Sequence, residues 1–137
     1  MTNPIVVERK TRYTDGREGV RHCYWCPGCD ALHCVAINPV KGENGAGWTF
    51  TGTLDCPTYS PSQLTSYETG AGKSVCHTYI RAGQIEFLRD STNSLAGRTV
   101  PLPPLPDWMV EESPAAGILN GGESSGSEIL KRGRVVR

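Results

Sequence analysis

The chain has 137 residues, and fourteen Lys and Arg balance fourteen Asp and Glu. That length suits one domain, and zero net charge excludes a global field that would draw the protein onto nucleic acid or anionic lipid. Sixteen glycines, ten prolines and no apolar run near eighteen residues argue against a membrane-spanning helix and predict a modest core that a metal could reinforce.

Residues 1–10 carry no basic region followed by an apolar one, so no secretory leader is expected. A reducing cytoplasm is the expected compartment, where six cysteines read as metal ligands or buried thiols before they read as disulfides. Residues 5–12 begin with β-branched side chains and end charged, which suits an edge strand or an ordered arm, here bounded as 1–19. Asp15-Gly16 marks a turn.

Residues 20–25 and 33–38 are short strand candidates on either side of Cys26-Pro27-Gly28-Cys29. Two thiols three positions apart around Pro-Gly make a tight turn that aims both sulfurs at one point, as a tetrahedral zinc requires. Residues 41–47, with three glycines, form a loop, and residues 48–51 a strand. Two prolines in residues 57–62 predict an extended but irregular stretch barred from central-strand pairing.

Residues 75–81 and 84–90 bracket Ala82-Gly83, a two-residue hairpin turn. Period-two alternation puts Cys76, Thr78 and Ile80 on one face with Ile85 and Phe87, and His77 on the other. Cys76 therefore points inward and His77 outward. Residues 90–97 suggest a turn or two of helix capped by Asp90 or Ser91 and stopped by Gly97. A last strand is expected within 98–102, followed by a polyproline-like spacer over 101–106. The rest, from 103 to 137, reads as a proline-rich linker and extended tail.

A closed zinc site needs two ligands beyond Cys26 and Cys29. His33 lies four residues on, and inward-facing Cys76 arrives from a distant strand. The predicted set is Cys26, Cys29, His33 and Cys76, with His77 as a substitute ligand if the strand is distorted. Cys23, Cys34 and Cys56 read as small buried hydrophobes. The spacing Cys23-x2-Cys26-x2-Cys29 also echoes a ferredoxin run, but Cys34 comes one position late and no proline follows it.

The order of these motifs resembles a small phage and prophage family of unknown function, some of whose members carry an automatic label of ammonia monooxygenase. The shared pattern is Cys26-Pro27-Gly28-Cys29, His33, Trp48, Pro57-Thr58-Tyr59-Ser60-Pro61-Ser62, Cys76-His77, Gly83 and Asp90-x-Thr92 through Leu95-Ala96-Gly97, over residues 22–102. It departs at Asn93, where the pattern has histidine. The resemblance implies a phage-encoded zinc protein. Three histidines and two methionines offer little for the copper sites of a monooxygenase.

The fold predicted is mainly β: short antiparallel hairpins over 20–102 clasped by a zinc knuckle, with one short helix. The function predicted is a structural-zinc interaction or assembly module with no catalytic residue, a virion component or a factor acting in the host cytoplasm. Its expected partners are its own copies or other phage proteins. Two alternatives stand beside it. One is a zinc enzyme gathering His77, Asp90 and the hydroxyls of Thr58, Ser60 and Thr92 around the metal. The other is a knuckle that binds single-stranded nucleic acid through Tyr24, Trp25 and the basic stretch 131–137.

Overall fold

The computed structural model describes residues 3–111, so all but the first part of the expected linker and tail over 103–137 lies outside the described residues. Among the described residues, eight strands and one short helix follow in order: β1 Val6–Arg12, β2 Glu18–Cys26, β3 Ala31–Ile37, β4 Thr49–Thr53, β5 Cys56–Thr69, β6 Gly72–Arg81, β7 Gln84–Phe87, β8 Thr99–Pro101 and α1 Asp107–Glu111. They form two antiparallel sheets of consecutive strands, β1-β2-β3 and β4-β5-β6-β7-β8. The mainly-β prediction holds.

The sheets pack face to face. Val6, Tyr24, Cys26 and Val35 from the first meet Tyr59, Cys76, Ile80, Ile85 and Phe87 from the second, with Leu102. A parallel bridge between Ile37 and Trp48 ties the end of β3 to the start of the second sheet. Strand alternation places Tyr24 and Cys26 on the inner face of β2, while Cys23 belongs to a separate cluster with Leu32, Cys34, Leu105 and Met109 on the outer face.

The hairpin of β6 and β7 follows the predicted register. Thr78 pairs with Phe87 and Ile80 with Ile85, and both central turn residues have positive φ, 50° at Ala82 and 78° at Gly83. That pair of angles is the I′ turn whose twist matches the strands it joins.

Three expectations need correction. Residues 57–62 do lie in a central strand, because β5 runs between β4 and β6. The prolines fit since Pro57 sits at the strand's start and cis Pro61 within a bulge, positions where a missing N–H breaks no ladder bond. Residues 90–97 form turns instead of helix, as their polar groups bind β6: the Thr92 N–H donates to the Val75 carbonyl at 2.8 Å and the Ser91 hydroxyl to the His77 carbonyl at 3.1 Å. The helix among the described residues is α1.

The proline-rich stretch, expected to be a spacer, packs against the domain. Leu102, Leu105 and Met109 are buried, and the Leu105 N–H donates to the Pro4 carbonyl at 2.8 Å. Burying each such side chain stabilises by about 2 kcal/mol. That is enough to hold a segment that hydropathy alone leaves loose.

Candidate active site and metal centre

The turn joining β2 to β3 is the Cys-Pro-Gly-Cys stretch. The Asp30 N–H donates to the Cys26 carbonyl at 2.8 Å, and the Cys29 N–H donates to Cys26 Sγ at 3.4 Å. Gly28 has no room for a side chain, since a Cβ there would lie 2.7 Å from both Asn93 Nδ2 and Phe87 Cε2. The turn is therefore pressed directly against the second sheet, where Cys76 waits on the inner face of β6.

Cys26, Cys29, His33 and Cys76 converge, with one potential ligand atom from each and all four within 4.8 Å of one another. This is the predicted set. Cys26 Sγ and Cys76 Sγ are 3.8 Å apart, which matches the edge of a tetrahedron with metal–sulfur bonds of about 2.3 Å. His33 is buried, and its Nε2 has no hydrogen-bond partner. Such an atom is costly unless a ligand satisfies it. The donor set therefore fits a metal.

The three sulfurs share charge unequally. Hydrogen bonds from Cys26 and Cys76 hold the Cys29 thiol far below the usual range. Contact with Cys29, then with Cys76, and burial push Cys26 well up. The Asn93 amide lies over the site, with Nδ2 at 3.9 Å from Cys76 Sγ as a weak donor to it. Position 93, where the resemblance pattern has histidine, thus belongs to the surroundings of the metal centre.

The other cysteines stand apart. Cys23 and Cys34, expected as separate buried thiols, are direct cross-strand partners joined in a disulfide, which removes them from any ferredoxin-like set. Cys56 is exposed, not buried. Tyr24 is fully buried and Trp25 packs edge-on to Trp108, so this pair is no open stacking platform for bases.

His77 faces away from the thiols, as the alternation predicted, and it meets other partners. Its Nε2 lies 3.1 Å from Ser62 Oγ, and its Nδ1 lies 3.0 and 3.2 Å from the two Asp90 carboxylate oxygens. With Nδ1–H donated to Asp90, Nε2 is left to accept the Ser62 hydroxyl. Its role as a substitute metal ligand is therefore displaced. Asp90, read from sequence as a helix cap, sits on the segment that continues past β7 along β6, where the Leu88 N–H donates to the His77 carbonyl at 2.8 Å.

Ser62 reaches His77 because β5 bulges. Between the pairs Tyr59↔Ile80 and Gln63↔Thr78, β5 has three residues where β6 has one. A seryl hydroxyl, an imidazole and a carboxylate in hydrogen-bonded sequence are the parts of an activated nucleophile. The hydroxyls considered from sequence are elsewhere: Thr58 Oγ1 accepts from the Ala82 N–H, Thr92 Oγ1 accepts from the Val75 N–H, and Ser60 is exposed opposite Thr49.

The family model described as the bacterial ubiquitination-like system serine protease (BubE) matches residues 2–88, well over half of the protein. The chain belongs to this family. Ser62, His77 and all four candidate metal ligands fall inside the matched stretch, and Asp90 lies two residues past it. The BubE description carries neither the phage origin nor the zinc that the sequence resemblance implied. No curated protein and no solved structure gives a match.

The sequence pattern points to His77 and Asp90 near a site but does not reveal Ser62. Period-two alternation cannot reveal a bulge, and no local glycine signature surrounds this serine. The usable signal was an outward histidine next to an inward ligand cysteine, with a carboxylate thirteen positions later. Among the described residues no helix is long and apolar enough to cross a membrane.

Proposed function

We propose that the protein is a serine protease in which Ser62 is the nucleophile, His77 the general base and acid, and Asp90 the group that orients the imidazole. The observation that carries this reading is the unbroken row Ser62 Oγ–His77 Nε2 and His77 Nδ1–Asp90, at 3.1 and 3.0 Å. Both distances lie within the range general-base catalysis needs. Membership of the BubE family supports it independently.

In the reaction, Ser62 Oγ attacks the substrate carbonyl while His77 Nε2 takes the hydroxyl proton. The same proton passes to the departing amine as the C–N bond breaks, leaving an acyl-enzyme. Water, deprotonated by His77, then releases the acid and restores the serine. Asp90 stabilises the imidazolium formed at each step. The substrate proposed is a peptide bond in a protein of the bacterial ubiquitination-like system that the family description names.

Zinc is the metal this donor set suits best. Cys26, Cys29, His33 and Cys76 would supply four protein ligands to such an ion, which would then clasp the knuckle to β6 as a structural metal while Ser62, His77 and Asp90 carry the bond making. The expected assembly module keeps this structural metal, but the triad geometry favours the protease over it. Its virion location and phage partners draw no support from the site.

The test is labelling with a fluorophosphonate probe followed by peptide mapping. Modification at Ser62, lost in Ser62→Ala with metal content unchanged, is expected. A folded, metal-loaded wild type that takes no label would overturn the assignment.

A further inference from the structure

The bulge that lifts Ser62 toward His77 has lost its ladder register with β6, so other groups must hold its backbone. Two side chains do so by capping the carbonyls on either side of the Ser62 amide. The Gln63 amide Nε2 donates to the Pro61 carbonyl at 3.3 Å, and the Trp48 indole Nε1 donates to the Ser62 carbonyl at 3.2 Å. Gln63 is only 3% exposed, immediately behind the nucleophile.

The other end of the Gln63 amide is also engaged. Its Oε1 accepts from Thr78 Oγ1 at 3.2 Å and from the Tyr24 hydroxyl at 3.5 Å. The same hydroxyl lies 3.5 Å from His33 Nδ1, leaving Nε2 as the His33 nitrogen for the metal. A buried polar path thus runs from the metal ligand His33 through Tyr24 and Gln63 to the peptide that carries Ser62.

We propose that Gln63 is a positioning residue for the nucleophile: its amide clamps the Pro61 carbonyl, and through Tyr24 and His33 it couples the geometry of Ser62 to the metal centre. This rests on the reading of Ser62 as nucleophile. The chemistry selects an amide at this position. Only a side chain that both donates and accepts can hold a carbonyl at one end while receiving two hydroxyls at the other. Glutamate keeps the shape and the acceptor contacts but offers the Pro61 carbonyl no proton when ionised. Methionine fills the volume and offers neither.

The experiment uses the metal-loaded full chain and compares wild type with Gln63→Met and Gln63→Glu. Four quantities are read: metal per chain, melting temperature, the second-order rate of fluorophosphonate labelling at Ser62, and kcat and KM on a peptide substrate. Small misplacements of a reacting atom cost up to about a hundredfold, so labelling and kcat should fall roughly ten- to a hundredfold in both variants. Metal content and KM should stay near wild type. Trp48→Phe, which removes the donor to the other carbonyl, should give the same split.

Wild-type labelling rate and kcat in either folded, metal-loaded Gln63 variant would overturn the clamp while leaving Ser62 as nucleophile. Absence of label at Ser62 in the wild type would overturn both. A loss of activity that merely tracks lost metal or lowered melting temperature would assign Gln63 to folding alone, against the proposal.

Discussion

Ser62 and His77 are not register partners, yet their side chains meet. The residue opposite His77 in the ladder is Leu64, and it is the bulge of β5 that brings Ser62 Oγ to 3.1 Å from His77 Nε2. The proposed nucleophile is therefore presented by an irregularity of its strand, while the proposed base comes from a regular one. Bulges recur beside active sites because they re-aim a side chain without moving the sheet. Cys76, the neighbour of His77, points to the opposite face and into the cluster of candidate metal ligands. One strand thus positions the proposed base and a candidate metal ligand in consecutive residues.

The triad makes graded predictions. Ser62→Ala and His77→Ala should each lower kcat/KM by about a thousandfold or more, with the residual rate coming from binding alone. Asp90→Asn should cost less, between about tenfold and about a thousandfold, because the Asp90 side chain is 59% exposed and water partly replaces it. Steady-state kinetics on one peptide substrate checks all three. An Asp90→Asn variant as inactive as Ser62→Ala would mean that the carboxylate does more than orient the ring.

The metal centre and the triad separate cleanly by mutation. Cys29→Ser and Cys76→Ser should lose the metal and unfold the domain, since metal binding in small zinc modules contributes on the order of 10 kcal/mol of folding free energy. His77→Gln should keep one metal per chain and a near-native melting temperature while losing activity. Elemental analysis with thermal denaturation decides this. Loss of metal in His77→Gln would restore His77 as a ligand.

Where the sequence was legible, local chemistry and period agreed. Ala82-Gly83 between alternating apolar residues fixes both the turn and the faces of β6 and β7. Once Cys76 faces inward, it is the distant thiol best placed to complete Cys26, Cys29 and His33. What stayed hidden depends on contacts remote in sequence. The prolines of β5 suggested exclusion from a sheet, whereas the bulge accommodates Pro61 and carries Ser62. The polar groups of residues 90–92 resembled a helix start, yet β6 supplied stronger partners. Leu105 and Met109 follow no period, so their docking on the outer face of the first sheet is invisible until that face exists.

The disulfide gives an independent check on the cysteine assignments. Cys23 and Cys34 face each other because the knuckle sets the register of β2 and β3, pairing Cys26 with Ala31 and Cys23 with Cys34. A Cys23→Ser, Cys34→Ser double variant should keep its metal and its label at Ser62 while losing about 2–3 kcal/mol of stability, as expected for a short cross-linked loop. Metal lost together with this pair would place one of the two sulfurs in the metal site.

His22 should make the fold sensitive to mild acid. It is 1% exposed in the core, where its Nδ1 lies 2.7 Å from the Tyr59 hydroxyl and its ring packs against Phe50, with Glu8 on β1 at 3.5 Å from Nε2. Burial, the largest cause, lowers its pKa, and the Glu8 hydrogen bond and charge only partly offset that. The folded state therefore resists protonation at a pH where the unfolded chain, near the ordinary value of about 6.5, accepts it. Above that value both states are neutral and the full stability is present. As pH falls below it, the unfolded state binds the proton first, and stability declines until the folded-state pKa is reached. Melting temperature should accordingly drop between pH 7.5 and 5.5 by an amount that His22→Gln reduces, even though that variant is less stable at neutral pH. An identical pH slope in the two proteins would assign the acid sensitivity to another group.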